Sequence, residues 1–156
     1  MENRLITLAA YFVFASAISV SSTAQSRCHE IGGSIETNFV DSSDTLGSAT
    51  GDLAGGLGVH VLSQEPGPDG TIAISVQHHW VTAVGDIISL DQATITLFPT
   101  SVPGFYAARY LNGVTVNGSG TGRFAGASGK LSGWGGVDFS RGALVLRYSG
   151  KICHRD

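Results

Sequence analysis

Beyond residue 24 the chain alternates apolar and polar positions with a period of two, and no window shows a capped 3.6-residue pattern. It reads as a succession of strands. In the first, Ile31, Gly33, Ile35, Thr37 and Phe39 share one face, while Glu30, Ser34, Glu36 and Asn38 share the other. A polar connection over 41–45 leads into a strand over 49–62, where Gly51, Gly55, Gly56 and Gly58 predict bulges or sharp bends. The turn chemistry of Glu65-Pro66-Gly67-Pro68-Asp69-Gly70 separates it from a strand over 71–82, which puts Ile72, Ile74, Val76, His78 and Trp80 on one face. Gly85-Asp86 then turns the chain into 87–98, and a loop over 99–104 leads into 105–116. A short strand near 119–124, a glycine turn at 126–129 and strands over 130–139 and 143–153 complete the series. The final strand alternates most cleanly, Leu144, Leu146, Tyr148 and Ile152 against Val145, Arg147, Ser149 and Lys151. Asn112-Gly113 and Asn117-Gly118 are both hairpin-type dipeptides, and one of them is expected to be the tight turn.

Seven or eight strands joined mostly by short links predict an all-β fold: a closed eight-stranded antiparallel up-and-down β-barrel, in which closure also removes the sheet edges. With an even count, the first and last strands run antiparallel, so the start of one lies beside the end of the other. Cys28 and Cys153, the only two cysteines, sit at those ends. In an exported chain the expected state is a disulfide between them, and not a metal pair or a nucleophile.

Export is predicted by the leader. Arg4 supplies a charged n-region, residues 5–20 are an apolar h-region, and Ser22-Thr23-Ala24 gives small residues at a cleavage position. A membrane anchor is the competing reading, but the apolar run falls short of the roughly 20 residues a spanning helix needs. The expected division is therefore a signal peptide over 1–24 and one barrel domain over 25–156, with a secreted or periplasmic location and no membrane association after cleavage. With 42% hydrophobic and 13% charged residues the chain is a folded domain and not a disordered tail. Its net charge of −3 gives no electrostatic case for nucleic acid.

Candidate chemistry is sparse. His78 and His79 are adjacent on a strand, so they point to opposite faces and cannot chelate one metal. No metal site or cofactor is expected. His78 reads either as a hydrogen-bonded core histidine or as a cavity-facing acid, base or ligand donor. Trp80, Tyr106, Tyr110, Trp134 and Tyr148 are either ordinary core aromatics or the wall of a pocket for an apolar or aromatic ligand. Asp86 either solvates a turn or acts at a barrel mouth. Arg109, a cation in mid-strand, either lies outward or, facing inward, binds an anionic head group. The glycine run 118–129 has neither GxGxxG nor GxxxxGK[ST] spacing and no helix follows it, so it bends strands and does not cradle phosphate. Asn117-Gly118-Ser119 is an N-glycosylation sequon, relevant only on a eukaryotic secretory route. Ser-His-Asp order and a GxSxG elbow are both lacking.

The run GSGTGRFAGASG over 118–129, the ending LRYSGKIC, and His78-His79-Trp80 followed by Gly85-Asp86 resemble the allene oxide cyclase barrel-like superfamily, which also contains the plant dirigent proteins. Within it the chain is similar to secreted bacterial members of uncharacterised function. The resemblance implies a calycin-like barrel with an apolar cavity and a homo-oligomer, trimer or dimer. It also implies a small apolar or aromatic ligand whose cyclisation or isomerisation is guided by shape. The cyclases' catalytic glutamate finds no counterpart here, so no catalytic residue is carried over; the catalytic residues are unknown. The ligand-binding candidates are His78, Trp80, Asp86, Tyr106, Arg109, Tyr110 and Tyr148. A non-catalytic dirigent-like barrel and a structural barrel filled by its own side chains are the alternatives. A cavity of about 300 Å³ or more would favour ligand work and a solid interior the structural role.

Overall fold

The structure is a computed structural model that describes residues 27–154; the leader expected over 1–24 lies outside them. Ten strands form in chain order: β1 (Arg27–Phe39), β2 (Asp44–Ala49), β3 (Gly55–Pro66), β4 (Ile72–Thr82), β5 (Ile87–Ile88), β6 (Ala93–Pro99), β7 (Phe105–Arg109), β8 (Val114–Val116), β9 (Ser128–Asp138) and β10 (Ala143–His154). Hydrogen bonding runs β1-β2-β3-β4-β6-β7-β9-β10 and returns from β10 to β1, every neighbour antiparallel. This is the closed eight-stranded up-and-down barrel read from the alternation.

The remaining two strands continue barrel strands across an interruption. β5 pairs with β4 below β6, and β8 pairs with β9 below β7. Between β5 and β6 the chain crosses to β8, with Leu90 bridging Val116 and the Asp91 N–H donating to the Thr115 carbonyl at 2.9 Å. The wall is thus complete at both levels. The breaks carry Leu90 and Tyr110 into the interior, both buried.

The expected strands over 87–98 and 105–116 are thus each broken in two, and two further expected elements differ. The single strand over 49–62 is in fact the end of β2, a 3-10 turn at Gly51–Leu53 and β3. Residues 44–49, with one apolar side chain at Leu46 before Ala49, were too polar to register as a strand. They are held by backbone pairing on both sides, to β1 and to β3. The short strand near 119–124 does not exist. That segment is a loop with one bridge, Ser119 to Ala125, and a 3-10 turn at Gly122–Phe124 that buries Phe124. Neither Asn-Gly pair closes a hairpin. Asn112-Gly113 interrupts one barrel wall strand, and Asn117-Gly118 opens the loop to β9.

Of the faces the pattern marked, Ile35, Ile74, Val76, Trp80, Leu146 and Tyr148 are buried in one cluster, where Leu57, Ile95, Leu97, Leu131 and Val137 join them. β1 and β10 pair along their whole length, from Arg27 opposite His154 to Asn38 opposite Ala143. Cys28 and Cys153 are direct cross-strand partners in this seam and form the disulfide, with a sequence separation of 125.

A cross-link over so long a loop removes denatured-state entropy worth about 4 to 5 kcal/mol. Replacing both cysteines by alanine should lower the urea unfolding free energy by about that amount, with fraying of the β1–β10 ends visible in hydrogen exchange. An unchanged midpoint would show that the backbone ladder alone closes the barrel.

Candidate functional site

The barrel holds one apolar chamber. Its walls come from alternate residues of the strands, Leu57, Val59, Val76, Ile95, Leu97, Leu131, Val137 and Leu146 among them. The space left between side chains is about 110 Å³ for the centre of a water molecule. That is neither the chamber of 300 Å³ or more nor the solid interior set out above. It is nearer the size at which a dry apolar cavity accepts a benzene-sized guest, about 150 Å³.

One end of the chamber is sealed by the loop between β2 and β3. Leu53 of this loop is 2% exposed and belongs to the buried core. Its N–H donates to the Tyr148 hydroxyl at 2.9 Å, its carbonyl accepts from the Trp80 indole N–H at 2.9 Å, and the Tyr148 hydroxyl donates to the Thr50 carbonyl at 2.7 Å. Trp80 and Tyr148 stack edge to face with centroids 5.3 Å apart. A seat for Tyr148 exists because residue 33 is glycine, since a Cβ there would sit 2.6 Å from the tyrosine hydroxyl and 2.0 Å from the Thr50 carbonyl oxygen. Both aromatic polar atoms are therefore consumed in holding the floor.

The opposite end is framed by Phe39, Phe139, Leu144, Val61 and the loop over 41–45. Phe139 is 41% exposed and makes edge contacts with Phe39, at 5.6 Å between centroids, and with Tyr106, at 5.5 Å. The loop is ordered by Asp41, whose carboxylate accepts from the Ser43 and Asp44 N–H groups at 2.7 and 2.9 Å, and by Asp44 against His60 at 2.8 Å. These bonds to the ionised form hold the Asp41 carboxyl below its usual range.

The polar feature of the chamber is a pair, His78 and Tyr110, with Nε2 and the phenol oxygen 2.8 Å apart. Residues 32 apart in sequence meet here because the break after β7 turns Tyr110 inward, where its ring lies over Gly133; a Cβ there would be 2.9 Å from the ring. Both side chains are 8% exposed. Burial pushes the His78 pKa down to about 4 and raises that of the Tyr110 phenol, so at neutral pH the pair is an uncharged imidazole and a phenol sharing a hydrogen bond. His78 Nδ1 has no hydrogen-bond partner among the described residues. Thr37 and Thr45 also carry buried hydroxyls without a partner.

Of the sequence candidates, His78, Trp80, Tyr110 and Tyr148 come together on the chamber wall. Tyr106 is half-buried behind Phe139 and braces the mouth without lining the chamber. Asp86 lies at the turn after β4, on the sealed end, where its carboxylate accepts from the Arg123 N–H at 3.3 Å. Arg109 is exposed on the outer face. His79 is exposed too, on the face opposite His78. Sequence reading did not single out the Leu53 floor or the Phe39–Phe139 mouth. Phe39 was legible as inward-facing, but nothing local marks a loop leucine as a plug. No group of three or more His, Cys, Asp or Glu that could hold a metal occurs among the described residues.

The His78 shift makes stability depend on pH. In the unfolded chain the imidazole protonates near 6.5, whereas in the barrel it resists protonation until about 4. Its contribution is complete above about pH 6.5 and is lost as the pH falls toward 4, by something on the order of 3 kcal/mol. Chemical denaturation between pH 7 and 4 should show this slope in the native protein and lose it in His78→Phe. Separately, Tyr148→Phe should cost about 1–3 kcal/mol, because it strands the Leu53 N–H and the Thr50 carbonyl; a thermal melt checks it.

Searches for similarity add little to this geometry. No family model matches the chain, and no curated protein matches it. Among solved structures, that of the pterocarpan synthase dirigent protein GePTS1 aligns over 92% of this chain and 100% of that one, with a TM-score of 0.37 and 13% sequence identity. A likeness at that level carries no argument about this barrel's chemistry.

Proposed function

We propose that the barrel takes up a small apolar or aromatic molecule in its interior, with the His78–Tyr110 pair as the polar hook of its wall. The observation that carries this reading is the buried, uncharged imidazole whose Nδ1 has no partner among the described residues, set among mostly apolar chamber walls. A buried polar atom left unsatisfied costs the fold about 1–3 kcal/mol, and a guest offering a hydroxyl or carbonyl would repay it. Small aromatic alcohols fit this chemistry in polarity and in size.

Guidance of a cyclisation or isomerisation, in the manner of the allene oxide cyclase-like and dirigent-like barrels the sequence resembles, is the catalytic form of the same proposal. It would rest on holding one conformer in a dry space and on the neutral His78 or the phenol passing a proton. Secretion or export to the periplasm fits the Cys28–Cys153 disulfide. Assembly as a trimer or dimer belongs to the same family reading.

A non-catalytic or structural barrel is favoured by one specific fact, the volume of about 110 Å³, below the range of about 300–1,000 Å³ usual for ligand pockets. Titration with phenol, p-cresol and indole separates the two. Under the binding reading at least one of them raises the melting temperature and shifts the His78 imidazole resonances, with about 2.7 kcal/mol of stabilisation at one hundred times Kd. Val76→Phe, which fills the chamber, abolishes the effect. If none of the three binds while His78→Phe leaves the protein as stable as before or more so, the barrel is structural.

A further inference from the structure

Outside the barrel, the β7, β9 and β10 wall carries a pattern the interior does not explain. Outward side chains on β9 and β10 stand in directly opposed ranks: Lys130 against Lys151, Ser132 against Ser149, and Trp134 against Arg147. On its other side Trp134 faces Arg109 of β7. All seven residues are exposed, and the Trp134 indole is 59% exposed, the more exposed of the two tryptophans, with Trp80 at 2%. Four of the seven Lys and Arg residues between 27 and 154 are thus gathered on one face of a chain whose net charge is −3.

Two features of this face run against folding stability. Like charges directly opposite on adjacent strands repel, as in Lys130 with Lys151, and a large exposed indole gains nothing from the core. Arg109, Lys130 and Arg147 make no ion pair with any described carboxylate, and Lys151 reaches only Glu30, at 3.9 Å. The acids that border the face lie at its margins: Glu30 beside Lys151, Glu36 across from Val145, and Asp138, which is engaged by Ser140 and Arg141. Ser132 and Ser149 add a pair of hydroxyls 3.2 Å apart between the cationic rank and the tryptophan.

We propose that this outer face is a docking surface for a carboxylate-bearing polysaccharide. Trp134 supplies a flat apolar platform for a sugar ring, the paired serines hydrogen-bond its hydroxyls, and the four cations match carboxylates spaced along the chain. From the lysine rank to the Trp134 rank is four residues of strand, about 13 Å, a length that suits several linked sugars. A second copy of the chain is disfavoured as the occupant, because a two-fold contact through this face would press cations against cations. Single-stranded nucleic acid would use stacking and charge in a similar way. However, the Cys28–Cys153 disulfide fits an oxidising compartment, outside the cell interior where nucleic acid is concentrated.

Polygalacturonate titrated into the full-length protein at low salt, followed by calorimetry and by Trp134 fluorescence, tests the proposal. Binding should weaken at least tenfold in Trp134→Ala and at least tenfold in the Arg109→Gln, Arg147→Gln double variant. It should also fall steeply between about 20 and 200 mM salt, as screening of exposed charges requires. A Val145→Ala control on the same wall should bind as the native protein does. The proposal is overturned if polygalacturonate does not bind, if neutral dextran or an oligothymidylate binds as tightly, or if Trp134→Ala turns an oligomer into a monomer in sedimentation. These outcomes are independent of the chamber, because Val76→Phe leaves this face intact.

Discussion

The pairing of β1 with β10 is the contact on which the rest of the molecule depends. The other strand neighbours are joined by short links, apart from β4 to β6 and β7 to β9, whose connections carry β5 and β8, whereas this seam must bring together segments 125 residues apart at the cysteines. Without it the sheet would carry two long unpaired edges, and the alternate faces of all eight strands would have no common interior. The disulfide lies at one end of the seam, next to the outer strand termini, and not in its middle. It limits the search for the register and opposes fraying, while the ladder from Arg27 to Asn38 supplies the continuous wall.

Closure also explains the size of the chamber. A barrel of eight strands has an interior just wide enough for its own side chains, so any free space depends on where glycine or a small residue stands opposite a large one. Gly33 and Gly133 each accept an aromatic ring that a Cβ would exclude. Tyr148 uses its seat to pin the floor, and Tyr110 uses its seat to meet His78. The same substitution pattern thus produces a sealed end that is rigid and fully hydrogen-bonded and a mid-chamber pair that is left with a spare polar atom. Those two consequences differ because the floor has backbone groups within reach and the middle of the wall, its backbone committed to the ladder, has none.

The outer surface obeys a different rule from the inner one. Inward positions are nearly all apolar because they share a closed volume; outward positions are free to vary, and most are small or polar. Trp134 between Arg109 and Arg147 is a departure from that background. Its placement next to Ser132 and Ser149 is a product of register, since a slip of one residue would bury the indole and expose Leu131 and Gly133 instead.

Period-two alternation, glycine at bends and a cysteine at each end were enough to determine an all-β closed barrel of eight strands with those ends joined. Each of these is a local or compositional constraint that any solution of the chain must satisfy. The strand inventory is less legible: the polar strand at 44–49 carries no alternation that marks it, and the pattern near 119–124 belongs to a loop, because backbone bonding between neighbours and not side-chain pattern decides such segments. For the site, the alternation correctly separated His78 from His79 and placed Trp80 and Tyr148 with the inward set. It could not show that Tyr110 turns in at a break to bond His78, that Leu53 plugs one end, or that Arg109 joins Trp134 on the outside. Those are meetings between residues distant in sequence, and only the register of neighbouring strands in the closed sheet creates them.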